Sequence, residues 1–165
     1  MAIVITIRRA QSANRDVLRL AARAALRDEG IPRSAELSIL ITDDEEVRRL
    51  NREYRGVDAA TDVLAFPQAD APEDPRPPCD EPRASSRWAE EPQLLGDVVI
   101  SAERARLQAR ERHASFDEEL ALLAIHGTLH LVGWRDDRNE ERERMVRRGQ
   151  EIWRRAKNAN ARSNG

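Results

Sequence analysis

The 165-residue chain has one cysteine, Cys79, and Lys157 is its only lysine. A lone thiol has no partner within the chain, so no disulfide framework supports the fold, and a reducing cytoplasm suits it. Long apolar runs are missing too, which leaves no segment to span a membrane. The opening residues, MAIVITIRRA, are too short and too soon charged for a signal peptide. Charge of one sign is also lacking: 28 basic and 30 acidic residues leave a net charge of -2. That excludes a chain-wide attraction to polyanions, so any nucleic acid must be held by a local patch.

What is present suffices for one soluble domain. Hydrophobic residues make up 40% of the chain and charged residues 35%, and this length can bury a core without disulfides or oligomerisation. Ile3, Ile5 and Ile7 alternate in a first strand over residues 2–8. Ser12 or Asn14 caps a helix through about Asp28, with Val17, Leu18, Ala21, Ala25 and Leu26 inward and Gly30 as its stop. Leu37, Ile39 and Ile41 mark a second strand, followed by a helix from about Asp44 to Tyr54. TDVLAFP reads as a third strand ended by Pro67, and LLGDVVIS as a fourth whose unbroken apolar run suits an interior position. A helix from Ala102 follows, then one with a capping box at Ser115 and Glu118, and a last one from about Asn139 carrying Met145, Ile152 and Trp153. The expected fold is α+β: a single domain with a small mixed four-stranded sheet and about five helices. It occupies residues 1–158, with a proline-rich, mobile surface loop at about 68–93 and a flexible tail at 159–165.

The stretch AIHGTLHLVGWRDD, residues 124–137, places His126 and His130 four apart in an otherwise apolar helix. That spacing puts both imidazoles on one helix face, where they can share an ion or simply be satisfied by ordinary hydrogen bonds. Gly133 favours the ion. A glycine there can end the helix with a positive φ and turn the chain so that Asp136 faces the same point. Two histidines and one aspartate leave a fourth position open, the layout of a catalytic metal. Zinc peptidases of the His-Glu-x-x-His type need a glutamate directly after the first histidine. Gly127 stands there, which disfavours a peptidase.

Three blocks, LNREYRGVDAATDVLAFP, LLGDVVIS and HGTLHLVGW, together resemble the YbeY family of bacterial endoribonucleases that mature ribosomal RNA, over roughly residues 35–155. The resemblance implies a metal-dependent, single-strand-specific endoribonuclease acting near the 3′ end of 16S rRNA, with ribosome quality control as its setting. It further implies one zinc per chain at His126, His130 and Asp136, and single-stranded RNA and the small ribosomal subunit as partners. Arg55 falls where the family places an arginine important for activity, and would grip substrate phosphate. The family block usually ends Gly-Tyr-Asp-His, whereas this chain has Gly133-Trp134-Arg135-Asp136, so aspartate replaces the third imidazole. Two other readings stay open here: a non-catalytic ribosome-associated RNA-binding factor that has lost efficient metal catalysis, and a zinc hydrolase of another substrate. Asp97 either orients a ligand histidine or faces neighbouring backbone in the sheet. Thr61 and Asp62 read as a strand start, and His113 as a loop residue.

Overall fold

The computed structural model describes residues 1–9, 12–68 and 94–163. Four strands, β1 (Ala2–Ile7), β2 (Glu36–Thr42), β3 (Val63–Pro67) and β4 (Leu94–Ser101), form one sheet in the order β1-β2-β4-β3. The first three neighbours in that order run parallel, and β3 lies antiparallel to β4 on the edge. Five helices complete the order: α1 (Arg15–Asp28), α2 (Asp44–Arg55), α3 (Ala102–Glu111), α4 (Phe116–Leu131) and α5 (Asn139–Ser163). The expected α+β architecture is therefore present, and none of these helices is long and apolar enough to cross a membrane.

Burial follows the strand order. β4 sits between two strands and is covered on both faces, so Leu95, Val98, Val99 and Ile100 are all buried, as its apolar run requires. On one face, Ile3, Ile5, Leu37, Ile39, Ile41, Val98 and Ile100 pack with α1, α4 and α5. On the other, α2 supplies Val47 and Leu50 against Leu40, Leu64, Phe66 and Val99. α4 touches α1, α3, α5, β3 and β4 and is apolar almost all round, as a helix buried on every side must be.

Local signals are met with informative exceptions. Asn14 caps α1 through its side chain, and Gly30 follows with φ 70°. Only half of the capping box on α4 forms. Ser115 Oγ accepts from Glu118 N at 3.1 Å, but the Glu118 carboxylate accepts from Lys157 Nζ at 2.8 Å. The ammonium of α5 outcompetes a backbone amide for that charge. Residues 159–163, expected as tail, continue α5, since Ala159 and Ala161 favour helix and no glycine or proline stops it before Ser163. Most of the proline-rich loop, with Cys79, lies outside the described residues.

Candidate metal centre

The site begins with the end of α4. His126 and His130 lie one turn apart, and their Nε2 atoms stand 3.1 Å from each other. Beyond them the helix closes through Gly133 N, which donates to the His130 carbonyl, and Trp134 N, which donates to that of Leu129 (both 3.0 Å). Gly133 has φ 101°, which a side chain would strain. The turn carries the chain back so that Asp136 Oδ2 lies 3.6 Å from each Nε2. These are the three residues expected from the sequence, and they form a cluster able to hold a metal ion.

The spacing can be tested against an ion. Donors about 2.0–2.1 Å from a tetrahedral zinc stand roughly 3.3–3.4 Å apart. Separations of 3.1, 3.6 and 3.6 Å bracket that value, so the side chains fit such an ion with little movement. They retain 23%, 26% and 33% exposure, which leaves room for a fourth ligand from solvent or substrate.

Protonation suits the same role. His130 Nδ1 lies 3.1 Å from the Trp134 carbonyl, which can only accept. The His130 proton therefore sits on Nδ1 and leaves the Nε2 lone pair facing the cluster. The pKa of His126 is pushed below the usual histidine value, first by burial and then by His130, while Asp136 and Asp62 act against the shift. At neutral pH this imidazole keeps a free lone pair.

Gly127 has a packing reason. A Cβ there would overlap Val98 Cγ1 and come within 3.0 Å of its Cγ2 and 3.2 Å of Val63 Cγ2. The position after the first histidine thus faces the sheet, and a glutamate base of the peptidase type has no space there.

Other residues fall less centrally. Arg55 is exposed in the last turn of α2, and among the described residues it makes no ion pair and no hydrogen bond with the triad. The segment after it leads to Asp62 at the start of β3, where the sheet edge meets α4. Asp97 is exposed and alternates with Val98, so it lies on the α2 face; no hydrogen bond among the described residues joins it to either histidine. His113 is an exposed turn residue with φ 54°, occupying the left-handed position after α3 where glycine is usual.

Asp62 exceeds its expected part as a strand start. It accepts from Val63 N (2.8 Å), Thr61 Oγ1 (3.2 Å) and Gln108 Nε2 (2.9 Å), and its charge reaches His126. No local pattern announces this, because Gln108 is 46 residues away.

Comparison with known proteins agrees with this geometry. Residues 4–157 match the sequence profile described as Endoribonuclease YbeY. A Pelotomaculum thermopropionicum protein named Endoribonuclease YbeY is 43% identical over 136 residues, 82% of each chain. Its Bacillus subtilis namesake is 40% identical over 124 residues, 75% of this chain and 74% of its own. Among solved structures, a Thermotoga maritima protein aligns with 98% of this chain and 93% of its own at a TM-score of 0.53 and 22% identity, a likeness of fold. A profile match running almost end to end, repeated in relatives of this identity, means that the chain belongs to the endoribonuclease YbeY family.

Proposed function

We propose that this protein is a metal-dependent endoribonuclease that cuts single-stranded RNA, matures the 3′ end of 16S rRNA and serves ribosome quality control in the cytoplasm. One zinc per chain is the proposed cofactor, held by His126, His130 and Asp136. The small ribosomal subunit is the proposed partner. The observation that carries this reading is the near-tetrahedral spacing of three donor atoms in a chain of this family.

When bound, such an ion supplies a Lewis acid for a phosphoryl oxygen and a water more acidic than bulk water. The chain's own groups do the rest. His130, held by the Trp134 carbonyl, keeps its ring in one orientation. Asp136 lowers the positive charge of the site relative to a third imidazole. Arg55, free of ion pairs among the described residues, has its planar fork available for a phosphate. The reach of Asp136 to both imidazoles at 3.6 Å supports a working metal site over the reading of a non-catalytic RNA-binding factor.

Zinc content and cleavage of a defined single-stranded RNA test the proposal together. Wild-type protein is expected to carry about one zinc and to cut RNA, whereas His130→Ala and Asp136→Ala lose both. Asp137→Ala is expected to change little; if it alone abolished zinc binding, the third ligand would be misassigned. Arg55→Lys should fold normally and keep its zinc, yet cleave at least about tenfold more slowly, because lysine keeps the charge but not the fork. Unchanged cleavage by Arg55→Lys would reject the bidentate grip.

A further inference from the structure

Glu29 sits where local physics disfavours it. It is the C-cap of α1, follows Asp28 and is only 5% exposed. The negative end of a helix dipole repels a carboxylate, and burial adds a desolvation penalty. Nothing in α1 requires an acid at this position. The compensation comes from distant parts of the chain: Trp134 Nε1 donates to Glu29 Oε2 at 2.9 Å, and Arg148 Nε donates to Oε1 at 2.9 Å. Arg148 also donates through Nη2 to the Asp28 carbonyl at 3.0 Å, which ties α5 to the end of α1.

The far side of Trp134 leads to the metal centre. Its backbone carbonyl accepts from His130 Nδ1, and its amide closes the end of α4 on Leu129. One residue thus has its ring fixed by Glu29 and its carbonyl fixing the tautomer and rotation of a ligand histidine. It also stands two positions before Asp136, so the path of the turn sets the third donor.

We infer that Glu29 is a positioning residue of the metal centre, acting through the Trp134 indole to hold the His130 imidazole and the Asp136 turn in ligating geometry, with Arg148 as the counter-charge. This rests on the metal-centre reading above. A carboxylate placed against a helix dipole, with one oxygen committed to the residue that orients His130, joins α1 and α5 to a site that neither helix enters. Partners that orient a ligand in this way typically change metal affinity about 10–100-fold when removed.

The test compares Glu29→Gln, Trp134→Phe and the double variant with the wild-type chain. Glutamine keeps the volume of Glu29 but offers one acceptor oxygen to two donors, so the charged Arg148 takes it and the Trp134 indole faces an amide N–H. Phenylalanine keeps a ring and the backbone carbonyl while removing the indole donor. Zinc affinity, measured by competition with a chromophoric chelator, is expected to fall about 10–100-fold in each single variant. The double variant should lose no more than the weaker-binding single variant, because both break one linkage. In metal-free protein, at a pH where both imidazoles are neutral, the ¹⁵N spectrum should show the His130 proton on Nδ1. In both single variants it should become a mixture of tautomers, a change that a merely structural role would not produce. Thermal unfolding of metal-free Trp134→Phe should stay close to wild type, whereas metal-free Glu29→Gln also loses its ion pair with Arg148 and should unfold at a lower temperature. Wild-type zinc affinity in the variants, losses that multiply in the double variant, or failure to fold would each overturn the positioning role. A wild-type chain that bound no zinc would overturn the metal-centre reading as well, and that outcome is distinct from the other three.

Discussion

The two faces of the sheet are built to different depths. One carries α1, α4 and α5 over a continuous apolar layer, while the other carries α2 over a small cluster around Val47, Leu64 and Val99. His126 and His130 belong to the deep face, and Arg55 belongs to the shallow one. A ligand pair needs fixed geometry, and a helix packed on every side supplies it. The phosphate grip proposed for Arg55 needs reach, and an exposed helix end supplies that. The difference teaches that packing depth and exposure are divided between the layers, which meet at the β3 edge where the charge of Asp62 is felt by His126.

The sharpest way to break this comparison is to empty each core in turn. Leu129→Ala, on the deep face, should destabilise by about 3 kcal/mol, and Val47→Ala, on the shallow one, by about 1–2 kcal/mol. Denaturant unfolding measures both, and equal losses would erase the distinction. Gly127→Ala should follow at about 1–3 kcal/mol, because the new methyl must displace Val98 or lift α4 from β4. Unchanged stability in that variant would mean that the contact between α4 and the sheet is looser than its spacing implies.

A smaller effect probes charge within the deep layer. Glu119 is fully buried with Arg112 at 3.0 Å, and its pKa is raised, by burial first, with Arg112 acting against the rise. A raised folded-state pKa means that the native chain keeps a proton which the unfolded chain has released. Glu119 therefore costs stability as pH climbs above its unfolded value of about 4.3, and the cost is complete above its folded value. Arg112→Ala removes the offset. It should lower stability by about 1 kcal/mol at neutral pH, a modest figure because the arginine is largely exposed. That loss should fade as the pH falls below about 4.3, where Glu119 is protonated in both states. A loss independent of pH would show that Arg112 acts by packing and not through Glu119.

Much of this was legible in the sequence because it is local. Ser115 as a cap, β4 as an interior strand and the one-face geometry of His126 and His130 follow from spacing within a few residues. Gly133 announced the turn for a backbone reason, and Asp136 follows from where that turn points. What was not legible depends on tertiary neighbours. Glu118 forgoes its reciprocal bond because Lys157 happens to lie beside it. Asp97 could be assigned to a face only once Val98 and Val99 were seen packing on opposite sides. Glu29 and Trp134 are 105 residues apart, and nothing near either predicts the other.

All three donors of the metal centre lie between residues 126 and 136. Bringing together the ends of so short a segment costs little entropy, so an unfolded chain retains some ability to chelate. An ion that binds both states favours the folded one only by the ratio of its two affinities. Loading should therefore steady this chain less than an equally tight ion whose ligands came from distant segments.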